Sequence, residues 1–357
     1  DHLRKGGFDG TITMVCAENE LPYQRPPLSK AYLADDVSAD ALLLRGPDYY
    51  RTKDIDLIGG VTVTAIDPVQ KLLNLTSGDS ANSTANLKTI DYEKLVLATG
   101  AIARPLPVPE AATEKVVCLR DLADTEKLKS CLHKAENIAI IGAGFIGLEV
   151  AATARKMGKS VTIIEAEDQI LVRLFPKMMS DFLRGRHVAN GVTFRLSTGV
   201  TRIDQMDGTL LRVVLTNEET LDADLVVVGI GAIVNDELAK NAGLDCANGI
   251  LVGEDGITSD PDIYAAGDCA AWTLPYMSGP TRTESVQNAV DQAKTVAASL
   301  CGKALPPKVA PWFWSDQMDL KLQMVGTVLD ADDIICRPEA LCPPLGAERC
   351  LLARPHR

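Results

Sequence analysis

Short, largely apolar runs punctuate this chain and carry most of its structural signal. Ile138-Ala139-Ile140-Ile141, Val161 to Ile164, Leu95-Val96-Leu97-Ala98, Leu225-Val226-Val227-Val228 and Ile263-Tyr264-Ala265-Ala266 each read as a short buried strand. Residues 61–75 alternate instead: Val61, Val63, Ala65, Leu73 and Leu75 are set among polar positions, with a turn at Asp67-Pro68. That pattern predicts a β-hairpin, and the polar segment Ser77 to Asn86 reads as the exposed tip of one. Strands are also expected at Thr11–Val15, Val192–Leu196 and Leu320–Val325, and hairpins over Thr201–Leu215 and Gly249–Thr258. Helical spacing runs through Ser285–Leu300, where Val286, Ala289, Val290, Ala293, Val296, Ala297 and Leu300 share one face. Thr283 can cap that helix and Glu284 sits in its first turn; a second helix is expected over Pro176–His187.

One stretch organises the rest. Between the first two of those strands stand Gly142, Gly144 and Gly147, then a helix-like run holding Ala151 and Ala152; the second strand ends in Glu165. Strand, G-x-G-x-x-G, helix, strand and acid, in that order, are the parts of a dinucleotide site. The first glycine turns the chain, the second admits a pyrophosphate against the backbone, and the third lets helix pack on strand. The helix N-terminus then faces the phosphates. Near the start, Leu3 to Phe8 reads as a helix end stopped by glycine, followed by the strand Thr11–Val15 and Glu18. This is the second half of another such unit, so the chain is expected to begin inside a domain whose first strand and glycine turn are missing. Pro105, Pro107 and Pro109 mark a linker, the composition shifts again after Val234, and Pro306-Pro307 closes a further region. From Arg337 onward neither a 2.0 nor a 3.6 period is visible, and the segment reads as a tail.

Composition narrows the chemistry. The chain has 357 residues, 46% of them hydrophobic, enough for two or three domains with real cores. No run is long and apolar enough for a membrane helix, so no membrane is expected. The net charge of −12 argues against nucleic acid. Nine cysteines form no C-x-x-C and pair with no histidine at ligand spacing, which predicts reduced thiols, a cytoplasmic setting and no metal. The segment Leu21 to Lys30 holds three prolines, expected to keep it extended, and carries Arg25 and Lys30 as candidate binding cations.

Six motifs in order (LPYQRPPLSK, LVLATG, IIGAGFIGLEVAATA, IYAAGDCA, ESVQNAVDQAK and PWFWSDQ) resemble those of the FAD- and NADH-dependent ferredoxin reductases, from Phe8 to about Val325. The resemblance implies an α/β fold of two Rossmann-like dinucleotide-binding domains and a short, incomplete α+β C-terminal region. An FAD domain (1–106 and 235–305) would be split by an inserted NAD domain (107–234), and 306–357 would be a truncated C-terminal domain.

The resemblance also implies roles for single residues. Glu18 would meet the adenosine ribose of FAD, and Val63 its adenine. Lys30, with Arg25 ahead of it, would contact the flavin. Thr99, Gly100 and Arg120 would lie along FAD, Asp268 would bond its ribityl chain, Val286 would begin the helix aimed at the pyrimidine edge, and Trp314 would close the flavin pocket. Gly142, Gly144, Gly147, Glu165 and Gly231 would hold NAD. Glu149 would stand near the nicotinamide, against the equal alternative of an exposed helix carboxylate. Lys30, Glu149 and Trp314 are the catalytic candidates.

The implied activity is electron transfer from NADH through FAD to an iron–sulfur ferredoxin serving a monooxygenase. Two alternatives stay open: a dioxygenase reductase or an NADH oxidase of the apoptosis-inducing-factor type, and a non-catalytic NAD-binding fragment without FAD. NADH is expected over NADPH, because Glu165, Glu167 and Asp168 repel a 2′-phosphate. No cysteine lies in Leu21–Lys30, so a dithiol relay is not expected.

Overall fold

The structure is a computed structural model that describes residues 1–77, 88–109, 113–206, 210–273 and 279–326. The chain forms two compact units. One comprises Arg25–Ala39, Ala103–Ala232 and the segment from Trp314; the other comprises Asp1–Gln24, Asp40–Ile102 and Ile233–Phe313.

The first unit is built on a parallel sheet of five strands: β1 (Val116–Cys118), β2 (Asn137–Ile141), β3 (Ser160–Ile164), β4 (Val192–Arg195) and β5 (Leu225–Val228), in the spatial order β4-β3-β2-β5-β1. Every neighbouring pair is parallel. Parallel strands need crossovers, and helices α1 (Leu122–Leu132), α2 (Phe145–Lys156) and α3 (Lys177–Ala189) supply them. The sheet is covered on both faces, which is why its central strands β2 and β5 are nearly continuous apolar runs. Ala139, Ile141, Ile164, Val226 and Val228 pack with Ile203, Leu211, Val213 and Leu215 of a three-stranded antiparallel sheet. On the other face, the Ile140 side chain lies against the start of α2 beside Gly147. Beyond β5 this unit includes residues of β6 (Trp312–Gln317), which pairs with β7 (Leu320–Val325).

In the second unit, parallel pairs join Ile12–Val15 to Ile55–Ile58 and Leu95–Leu97 to Ile263–Ala265. An antiparallel sheet of Val61–Asp67, Leu72–Ser77 and Lys88–Asp91 packs on the same core, through Ile66, Leu73 and Leu75. Helix α4 (Val286–Leu300) adds Val296 to that core. The helix end expected at Leu3–Phe8 is present: the helix His2–Lys5 ends with Phe8 N–H donating to Leu3 O and Gly7 at φ 86°, a left-handed stop that glycine adopts without strain.

Three expectations change, and one helix is new. Gly249–Thr258 is not a hairpin: Ile250–Val252 pairs in parallel with Ala270–Thr273, because burying Ile250 and Val252 requires a partner inside the core. Leu21–Lys30 is not extended throughout, since Pro26–Ser29 makes a 3₁₀ turn. Proline suits the first position of such a turn, where its missing N–H is not needed. The cap of α4 is Ser285 and not Thr283; the Ser285 hydroxyl accepts from Asn288 N–H at 3.1 Å, and Glu284 lies outside the helix, paired with Arg282. Helix α1, which the pattern did not suggest, is capped by Asp121 accepting from Asp124 N–H, and buries Thr125, Leu128 and Leu132 along one face. The expected hairpin tip and the tail from Arg337 lie, but for Ser77, outside the described residues.

Candidate functional site

In the five-stranded sheet the strand order reverses between β2 and β5, and ligands of such sheets bind beyond the carboxyl ends of the strands at that point. Both strands end there in glycine. Gly142 has φ 101°, and a Cβ on it would stand 2.4 Å from Gly229 O. A Cβ on Gly147 would stand 2.2 Å from Gly142 O. These two glycines are therefore required by the turn itself. A Cβ on Gly144 would meet nothing nearer than Gly229 O at 3.9 Å, so the turn does not need that glycine for its own packing. Its lack of a side chain keeps the backbone open where the helix begins. From the end of β3, Glu165 reaches back to this turn: its carboxylate accepts from Ala143 N–H at 2.7 Å and from Glu167 N–H at 3.0 Å. Gly231, at φ 103°, follows β5.

Two residues past the glycine motif, the backbone of α2 turns Glu149 inward. It is 3% exposed, so the alternative of an exposed helix carboxylate is wrong. Lys30 Nζ lies 2.6 Å from Glu149 Oε2, Ser29 Oγ donates to the same oxygen at 2.5 Å, and Ser315 Oγ donates to Oε1 at 2.6 Å. Three donors on one carboxylate offset the cost of removing its charge from water. Lys30 is held in turn: its ammonium also donates to Pro26 O at 3.2 Å, and Thr153, one helical turn past Glu149, donates to Ser29 O at 2.8 Å. The 3₁₀ turn is what puts Ser29 and Lys30 side by side against α2. Ser29 and Ser315 were not anticipated. Each is an ordinary small polar residue in sequence, and only their burial against Glu149 marks them.

The remaining predicted residues divide between the units. Arg25 and Arg120 share the first unit with Lys30, Glu149 and Trp314, and the Arg25 guanidinium donates to Arg120 O at 2.7 Å. Glu18, Val63, Thr99, Gly100, Asp268 and Val286 lie in the second unit. Glu18 follows the strand Ile12–Val15 and accepts from the Tyr23 hydroxyl. The paired strands Leu95–Leu97 and Ile263–Ala265 end side by side, with Ala266 N–H donating to Leu97 O at 3.0 Å, so Thr99-Gly100 and Gly267-Asp268 leave the same carboxyl edge. Thr99 is held by its hydroxyl on Asn235 O at 2.5 Å, and Gly267 N–H donates to Gln292 of α4 at 2.6 Å. Val286 opens α4 and is exposed; the structure places its helix start beside the Ser285 cap.

Comparison with known proteins decides the family. The sequence profile of the pyridine nucleotide-disulphide oxidoreductases matches residues 2–293, and that of the reductase C-terminal domain matches 312–344. The chain belongs to the pyridine nucleotide-disulphide oxidoreductase family. It is 45% identical to rhodocoxin reductase of Rhodococcus erythropolis, over 94% of this chain and 76% of that protein. It is 42% identical to putidaredoxin reductase of Pseudomonas putida, over 94% of this chain and 78% of that one. Among solved structures it resembles the reductase in the covalent putidaredoxin reductase–putidaredoxin complex, with a TM-score of 0.89 and 40% identity over 95% of this chain and 80% of that one.

Membership makes the chain an oxidoreductase with FAD and NAD as cofactors, and the residues present fit both. For NAD, the glycine turn, the N-terminus of α2 and Glu165 form a cradle that a Cβ at Gly144 would partly fill. For FAD, the carboxyl edge carrying Thr99-Gly100 and Gly267-Asp268, with Glu18 at the end of another parallel pair, offers the acceptors and glycine clearances that a ribityl chain and a ribose need. Gly267, at φ 83°, has no neighbour closer to its would-be Cβ than 3.9 Å. Among the described residues no cluster of His, Cys, Asp or Glu could hold a metal, and no helix is long and apolar enough to cross a membrane. The six cysteines described there are free thiols.

Proposed function

We propose that this enzyme passes electrons from NADH to a small iron–sulfur ferredoxin that serves a monooxygenase, with Lys30, Glu149 and Trp314 as its catalytic residues. The observation that carries the reading is the ion pair between partly exposed Lys30 and buried Glu149, which stands two residues beyond the glycine turn. FAD, when bound, supplies two-electron acceptance from a nicotinamide and one-electron release to an iron–sulfur partner.

The chain's own residues do the rest. Gly142, Gly144, Gly147 and Gly231 hold the nucleotide's phosphates against the backbone, and Glu165 accepts from a free ribose hydroxyl, which selects NADH. Glu149 anchors the Lys30 ammonium, which offers a fixed positive charge where negative charge develops during hydride transfer. Arg25, Arg120, Glu18, Val63, Thr99, Gly100, Asp268 and the start of α4 at Val286 bind FAD, and Trp314 is the aromatic of the catalytic set. The domain assignment of 1–106 and 235–305 to FAD, 107–234 to NAD and 306–357 to the C-terminal domain belongs to the same proposal. So does a cytoplasmic setting, where NADH is made and free thiols persist. The absence of cysteine from Leu21–Lys30 supports single-electron exit over a dithiol relay.

The test is direct. The full chain should purify with flavin absorbance, bleach anaerobically on adding NADH, and then reduce a two-iron ferredoxin. Lys30→Met should slow the bleaching about 100-fold. A colourless protein that still binds NADH, or one that reduces oxygen but no ferredoxin, would refute the reading.

A further inference from the structure

The acceptor end of a hydrogen-bond chain dictates the direction of every link behind it, and Glu149 is such an end. An ionised carboxylate, held here by a lysine ammonium at 2.6 Å, can only accept. Ser315, 2.6 Å from Glu149 Oε1, must therefore give its one proton to Glu149. Its oxygen is then left to accept, and it does so from the Gln317 side-chain amide at 3.1 Å. With the NH₂ of Gln317 turned to Ser315, its carbonyl oxygen faces His187 Nε2 at 2.9 Å, so His187 must carry its proton on Nε2. The ring's other nitrogen, Nδ1, has no partner among the described residues, as suits a bare acceptor. His187, Gln317 and Ser315 are all buried, at 0%, 1% and 0% exposure, so water does not compete for any of these links. Ser315 and Gln317 lie two apart on β6 and so project from the same face of the strand, while His187 comes from α3.

We propose that His187, Gln317 and Ser315 form a one-way hydrogen-bond chain that orients the Glu149 carboxylate toward Lys30, and that all three are positioning residues for hydride transfer from NADH. This rests on the functional reading of the Lys30–Glu149 pair given above. The chain predicts a remote dependence: a ring on α3, two side chains removed from Glu149 along these hydrogen bonds, controls how firmly the pair is aimed. If the ring proton moved to Nδ1, Gln317 would turn over, Ser315 would donate to Gln317, and Glu149 Oε1 would lose its donor. Polar networks of this kind act as units, so their members' effects do not add.

Two measurements on the full chain test it. Nitrogen-15 NMR of the histidine-labelled protein, with only four histidines to assign, should show His187 neutral with a protected Nε2–H. A proton on Nδ1, or on both nitrogens at pH 8, overturns the proposal whether or not flavin is bound. Stopped-flow reduction by NADH supplies the second. Ser315→Ala and His187→Phe should each slow flavin bleaching about fivefold at saturating NADH, with NADH affinity unchanged, and the double variant should be no slower than Ser315→Ala alone. Ser315→Thr, which keeps the hydroxyl, should recover the rate. Effects that multiply, or a single variant at full rate, refute the chain. If Lys30→Met bleaches at the normal rate, the functional reading fails instead, and the NMR result still decides the hydrogen-bond direction.

Discussion

Two parts of the same helix were built by different means. The glycine turn at the start of α2 is local: Gly142, Gly144 and Gly147 fall within six residues, and the constraints on them come from backbone a few positions away or from the neighbouring strand. The Glu149 cluster, one turn further along, is assembled from residues 120 and 166 positions distant, namely Ser29 and Ser315. A site made by backbone geometry tolerates no change at fixed positions. A site made by converging side chains depends on each partner arriving, and loses most when one partner is removed from an otherwise buried group.

That contrast can be broken or sharpened by experiment, beginning with the largest effect. Glu149→Ala strands the Lys30 ammonium, and should cost about 3–5 kcal/mol of stability, read as a fall in melting temperature of about 10 °C in calorimetry. Pairing it with Lys30→Met should return most of that loss, while flavin reduction by NADH stays slow. A single Glu149→Ala variant as stable as the parent would mean the cluster is ornamental to the fold.

At the turn, Gly147→Ala forces a carbon within 2.2 Å of Gly142 O and should both lower stability and abolish tight NADH binding. Gly144→Ala should keep the melting temperature and weaken only NADH binding, by about tenfold or more in titration. If both alanines behaved alike, the distinction between a glycine the turn needs and a glycine the ligand needs would fail. Glu165→Gln should narrow the preference for NADH over NADPH by about tenfold, or 1.4 kcal/mol, measured as a ratio of kcat/KM values.

His187 gives a pH signature. Burial pushes its ring below the ordinary histidine range, with the Gln317 bond opposing. Above the unfolded-state value, about 6.5, both states are neutral there and its contribution is fully present. As pH falls below that value, the unfolded chain takes up a proton that the folded chain refuses, so stability drops. Melting temperatures should decline between pH 6.5 and 5, and His187→Gln should flatten the decline. The smallest effect belongs to the α4 cap: Ser285→Ala should cost about 1 kcal/mol without touching NADH binding.

Much of this was visible along the chain, for a physical reason. Strands β2 and β5 are nearly continuous apolar runs because both faces of a parallel sheet are covered, and the glycine turn is readable because its requirement is a backbone one. The Schellman stop at Gly7 and the hairpin from Val61 were equally local. One error arose where the partner was remote, and two were local. Ile250–Val252 looked like half of a hairpin, yet its hydrogen bonds go in parallel to Ala270–Thr273. Pro26–Ser29 looked extended, since prolines exclude a regular ladder, but a 3₁₀ turn uses proline well. Ser285 displaced Thr283 as cap because α4 begins at Val286 and the cap is the residue just before it.

The sequence alone determined the glycine turn, the acid at the end of β3, and the family to which the chain belongs, since each depends on backbone demands or on order along the chain. Only the tertiary structure decided that Glu149 is buried and that Lys30, Ser29 and Ser315 converge on it, with His187 and Gln317 behind. A serine or a histidine carries no mark of its partner in its own neighbourhood. What singles it out is the loss of water around it, and that exists only once segments more than a hundred residues apart have packed together.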